Sequence, residues 1–230
     1  MTKRAALALG AITLILACGP PKDDFEPISL THLEGDETLT VDVWADNWFA
    51  LYAGHQLVAE DSVPFATERS FNAERFLFRA TLPLHLSLVV RDYLENDTGL
   101  EYIGSGRQQM GDGGLIFQVR DEAGETLAVS DEAVRCLVVH RAPLDKGCAS
   151  SEDPFRDCAA EVVPEPGNWK APDYDDGAWP AAVVHSASSV RPKGGYDQIE
   201  WDAGARLIWS EDLETDNTLL CRFTVSRSPV

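Results

Sequence analysis

Basic residues are scarce in this chain. Nineteen Lys and Arg face 38 Asp and Glu, giving a formal net charge of −19, and a field of that sign repels nucleic acid and anionic lipid surfaces. Nucleic acid is therefore excluded as a partner, while cations and neutral ligands stay open. Catalytic signatures are missing as well: there is no GxSxG elbow, no HExxH helix and no P-loop. The histidines, His32, His55, His85, His140 and His185, are scattered, and His85 and His140 lie in apolar strands that suit core or edge roles better than ligation. Carboxylate pairs are easy to find in so acidic a chain and assign no glycosidase without distances. The expectation is a protein that is not an enzyme. Helical periodicity is weak throughout, and beyond residue 17 no apolar run is long enough to cross a bilayer as a helix.

The first residues hold a shorter apolar run. MTKRAALALGAITLILAC has a basic start at Lys3 and Arg4, an apolar stretch over 5–17 and then Cys18. It is short for a membrane span and suits an export signal. Ile15-Leu16-Ala17-Cys18 resembles the bacterial lipobox, which implies that a signal peptide over 1–17 is removed and Cys18 is lipidated. An ordinary leader cut nearby is the competing reading. Losing Lys3 and Arg4 would take the charge from −19 to −21. Gly19 stands where a retention aspartate would, which favours the outer membrane where the cell has one. The expected location is the bacterial cell envelope, with the membrane touched through the lipid anchor alone. Residues 18–36, rich in proline and charge, read as a tether.

Export places the other four cysteines in an oxidising compartment. Cys148 and Cys158 bracket a polar segment, DKGCASSEDPFRDC, which reads as a loop stapled at its neck. Cys136 and Cys221 sit in apolar strands, RCLVVH and LLCRFTV, where a core disulfide and two buried thiols remain open alternatives. Neither spacing is that of a CxxC metal or redox site.

With 44% hydrophobic and 9% aromatic residues the chain can build a real core. Over 41–60, VDVWADNWFALYAGHQLVAE, Val41, Val43 and Ala45 alternate with Asp42, Trp44 and Asp46, and Phe49, Leu51 and Ala53 alternate with Trp48, Ala50 and Tyr52, the period of strands. Gly54-His55 suits a type II′ hairpin, because glycine accepts positive φ without a Cβ clash. Trp48, Phe49 and Tyr52 are too close together to share one core. Further runs follow between turn signals: ERFLFRATL, LHLSLVVRDYL, GLIFQVRD, TLAVSD, VRCLVVH, ARLIWS and TLLCRFTV. Their spacing predicts an all-β, antiparallel β-sandwich in one domain over 37–228. Asp121 to Gly124 reads as a hairpin turn.

Residues 165–180, EPGNWKAPDYDDGAWP, should form a loop across the sandwich end, held by Trp169 and Trp179. Together with ADNWFALYAGH and GDGGLIFQVRD, the segment WKAPDYDDGAW resembles the galactose-binding-domain-like jelly rolls, which occur as accessory modules of bacterial glycoside hydrolases and in exported proteins. Ala53-Gly54-His55 stands where that family usually has Val-Asn-Gly, which changes the expected turn and not the hairpin. The likeness covers most of 38–225 and implies architecture, with a carbohydrate as the leading ligand class.

Two loops carry the candidate chemistry. In 91–114, long for a hairpin connection, Asp92, Glu95, Asp97, Glu101 and Asp112 offer the hard oxygens calcium prefers, though not at EF-hand spacing. The family resemblance implies a structural calcium near one end of the sandwich; otherwise no cofactor is expected. For a neutral sugar, Tyr93, Tyr102 and Arg107 in this loop and Tyr196, Asp197 and Trp201 in RPKGGYDQIEWD supply flat faces and polar grips. The expected function is non-catalytic recognition of a glycan by an envelope lipoprotein. The alternative is a structural or assembly lipoprotein that contacts another envelope protein.

Overall fold

The computed structural model of the protein describes residues 27–30, 33–65 and 72–227. The expected leader, Cys18 and most of the expected tether lie outside them. Fifteen strands occur among the described residues: β1 (Ile28–Ser29), β2 (Glu37–Asp46), β3 (Trp48–Ala53), β4 (Gln56–Glu60), β5 (Ala73–Ala80), β6 (Leu84–Arg91), β7 (Leu100–Glu101), β8 (Gln109–Met110), β9 (Gly114–Asp121), β10 (Thr126–Val129), β11 (Arg135–Arg141), β12 (Glu161–Val162), β13 (Val183–His185), β14 (Leu207–Trp209) and β15 (Asp216–Val225). They form an all-β sandwich. The first sheet runs β1-β5-β2-β9-β14-β13 with β10 on β9, and the second runs β12-β11-β15-β6-β3-β4; β7 and β8 pair separately. Every pairing is antiparallel except that of β1 with β5. Ile28 and Ser29, which the sequence places in the tether, are thus part of the sheet.

The period of two sorts the side chains as the sequence predicts. Leu39, Val41, Val43 and Ala45 of β2 meet Phe49 and Leu51 of β3 and Leu86, Leu88 and Val90 of β6 in the core between the sheets. The crowded aromatics divide: Phe49 enters that core, while Trp48 and Tyr52 lie on the outer side of the second sheet. Gly54 turns the β3–β4 hairpin at φ 56°, and Gly124 turns the β9–β10 hairpin at φ 83°.

Both disulfides are present. Cys136 and Cys221 face each other across β11 and β15, and Cys148–Cys158 closes the polar loop. The first spans 85 residues of sequence and the second 10. Chain entropy alone ranks them at about 4–5 and about 3 kcal/mol.

Each sheet has an irregular segment lying on its outer face. On the second sheet, Trp169 and Trp179 of 165–180 bury themselves against Ala50, Val89, Val139 and Leu220. Arg222 of β15 reaches out to donate to the carbonyls of Trp169 and Tyr174, to Asp176 at 2.9 Å and to Ser87. The segment covers a face and not the sandwich end. On the first sheet, Val190, Ile199 and Ala205 of 186–206 pack with Trp44, Ala73, Ile116 and Leu207.

Candidate functional site

Where β2 leaves the first sheet, four carboxylates meet. Asp46 ends β2, Asp92 follows β6, Glu101 lies in β7 and Asp112 precedes β9. Asp46 and Asp92 are 0% and 1% exposed. Burial pushes both carboxyls well above the usual carboxylate range. Asp112 and Glu101 raise Asp46 further against the pull of Lys193, while Asp46, Glu101 and Asp112 all raise Asp92. Neither oxygen of Asp46 accepts a hydrogen bond, nor does Oδ2 of Asp92.

The backbone is shaped to hold this well. Asn47, joined to Asp46 by a cis peptide, is the single residue between β2 and β3; its N–H donates to the Arg91 carbonyl and its Oδ1 accepts from Tyr93 N–H at 2.5 Å. The Tyr93 N–H also meets Asp92 Oδ1 at 2.7 Å. A Cβ on Gly111 would lie 1.6 Å from Asp92 Oδ2, so only glycine leaves room for that carboxylate. One ammonium caps the group. Lys193 Nζ stands 3.6 Å from Asp46 Oδ2 and 3.1 Å from Asp112 Oδ1, and Arg191 approaches Asp112 at 3.6 Å. Burial alone would lower the Lys193 pKa, but Asp46 and Asp112 hold it above its usual value. Sealed from solvent, Asp46 and Asp92 offer no face to a substrate and make no acid–base pair for one.

The residues predicted from sequence disperse in part. Of the five calcium candidates, Asp92, Glu101 and Asp112 gather, joined by Asp46; Glu95 and Asp97 are exposed, and Asp97 lies 3.5 Å from His140. Among the described residues no group of three or more His, Cys, Asp or Glu side chains is arranged to hold a metal ion. The five do not form a shell. Of the sugar candidates, Tyr93 is buried, and Tyr102 has the Arg107 guanidinium 4.5 Å over its ring. Tyr196 lies edge-on to Trp44 and tilted against Trp201, whose indole N–H donates to the Tyr196 carbonyl, while Asp197 is exposed. The two loops meet through Lys193 and Asp112.

A different site lies on the outer face of the first sheet. Thr38, Thr40, Asp42, Trp44 and Asp46 occupy alternate positions of β2 and share that face. The register sets Arg75 of β5 and Gln118 of β9 on either side of Asp42, and Leu77 and Arg120 on either side of Thr40. Asp42 is fully buried, accepting from Arg75 Nε, from Gln118 at 2.7 Å and from Arg120 at 2.6 Å. Beside this cluster opens a groove of about 460 Å³ lined by Thr38, Thr40, Arg75, Leu77, Arg120 and Glu122, among others. The hydroxyls of Thr38 and Thr40 have no hydrogen-bond partner among the described residues, and Arg120 spends one nitrogen on Asp42. Sequence reasoning missed this site. The period of two carried the signal: threonines at outward positions of an otherwise covered strand.

Comparison with protein-family models, curated proteins and solved structures returns no match.

Proposed function

We propose that this chain is an exported, lipid-anchored protein whose sandwich is a non-catalytic recognition module of the galactose-binding-like jelly-roll type, and that it holds a neutral glycan in the groove of the first sheet. The observation that carries the reading is the groove itself. Two unpaired hydroxyls, a guanidinium with nitrogens to spare and the acid Glu122 stand around the apolar Leu77. Donors and acceptors of both kinds beside an apolar patch match a sugar ring, which presents hydroxyls at its edge and C–H groups on its face. A glycan array probed with the chain from Gly19 onward tests it. Binding that falls about tenfold in Thr38→Val/Thr40→Val supports the groove; a blank array overturns the reading, and undiminished binding moves the ligand elsewhere.

A second reading has its own observation. Leu144, Phe155, Val162 and Val163 are exposed, Phe155 at 68%, and all four fall within 144–163 around the smaller disulfide. Hydrogen bonds from Leu144 to Ala159 and from Val163 to Val139 hold these residues on one edge of the second sheet. An apolar edge of this kind suits contact with another envelope protein. A photocrosslinking residue at Val163 that captures another envelope protein in intact cells, with capture lost in Phe155→Ser, would favour it.

A further inference from the structure

We infer that Lys193 is the resident cation of the carboxylate well, and that through it the 186–206 segment is clasped onto the sandwich so as to hold the wall beside the groove. Three observations combine. The first is placement: an acidic pocket of this composition calls for a cation, and the Lys193 ammonium reaches both Asp46 and Asp112 from outside. With Asp46 accepting no hydrogen bond, that ammonium is the charge its carboxylate faces.

The second is continuity along the segment. The carbonyl of Gly194, next to Lys193, accepts from Trp44 Nε1 at 3.2 Å. Tyr196 then packs on Trp44, and Trp201 on Tyr196. At the far end Gln118 accepts from Asp202 N–H at 2.6 Å and donates to the Glu200 carbonyl at 3.1 Å, while its amide also bonds Asp42. The third is that one strand carries both ends. Asp46, Trp44, Asp42, Thr40 and Thr38 descend the outer face of β2 from the well to the groove. Whatever frees Lys193 loosens the cover over Trp44 and then the Gln118 contacts next to the groove. The inference concerns the segment and stands apart from any glycan.

Hydrogen exchange on the full chain tests it. Lys193→Met is expected to raise exchange at least tenfold for the amides of Tyr196, Gln198 and Asp202, with 165–180 unchanged. Adding Asp46→Asn to Lys193→Met removes the carboxyl that has lost its cation and should restore most of the protection. Lys193→Arg keeps the charge and should behave as the parent; Arg191→Met, which loses one long contact to Asp112, should change nothing in 196–202. Unchanged exchange in Lys193→Met, or a loss that Asp46→Asn deepens, overturns the clasp. Should Lys193→Met fail to fold, a folded Lys193→Arg supports the role of the charge, and its failure as well overturns it. Calorimetric titration of the parent with calcium alone should give no heat; heat would show that a metal and not the lysine is the cation.

Discussion

Two strand-free segments cover the outer faces, 165–180 with no regular element and 186–206 with two short helical turns, and they are fastened by different physics. The 165–180 segment is fastened by burial. Two tryptophans lie almost wholly out of solvent, and Arg222, itself buried, finds four acceptors on or beneath it. The 186–206 segment buries smaller side chains, Val190, Ile199 and Ala205, and depends on a partly exposed lysine set against carboxylates. Burial of apolar surface is insensitive to salt and to proton concentration over the neutral range, whereas a cation on a carboxylate cluster responds to both. The adjustable fastening is the one beside the groove.

The largest test of that contrast is to remove one aromatic from each. Trp179→Ala should cost about 3–5 kcal/mol, as expected for a buried tryptophan, and Trp201→Ala, half-buried on Tyr196, about 1–2 kcal/mol on the same scale; urea unfolding of both variants measures the difference. Equal losses would dissolve the distinction.

An intermediate effect concerns pH. The Asp92 carboxyl titrates well above its ordinary value in the folded chain because it is buried beside Asp46, Glu101 and Asp112. A raised value means that the folded state keeps a proton the unfolded state has released, so this group's contribution is full below the ordinary carboxylate range and is lost as pH rises toward the raised value. Asp92→Asn removes that titration and keeps an acceptor for Tyr93 N–H. Its stability should fall less steeply than the parent's as pH rises above the ordinary carboxylate range, by up to about 1.4 kcal/mol per pH unit. A variant whose stability falls as steeply as the parent's would contradict the assignment.

The smallest effect is ionic. Half-molar sodium chloride should speed exchange a few-fold in 191–202 and leave 165–180 unaltered, since screening reaches a pair at the surface and spares a buried one. Equal acceleration in both segments would show that charge does not separate them.

The sequence was a good guide wherever a local rule decides. Alternation placed Leu39, Val41 and Val43 inward, the lone glycine marked the β3–β4 turn, and two tryptophans around a proline-rich stretch identified a segment with no strand of its own. Local rules do not say which elements meet. Asp46 read as one more outward residue of a strand, yet β2 and β3 belong to different sheets, and the crossing at Asn47 turns its carboxylate toward Asp92 and Asp112. Nothing near Lys193 in the chain announces a partner 147 residues away in Asp46. Glu95 and Asp97 suited calcium in residue type alone and point to solvent, and Tyr93 was chosen for an aromatic ring that the fold buries. The groove was overlooked because its residues come from three strands that only the sheet register aligns.

The ends of the two sheets carry a last consequence. The first sheet terminates in β1 and β13, of two and three residues, and the second in β12 and β4, of two and five. An open strand edge recruits further chains in proportion to the unpaired backbone it displays. Terminal strands this brief offer a second molecule little regular backbone to extend, which works against sheet-to-sheet growth into fibrils.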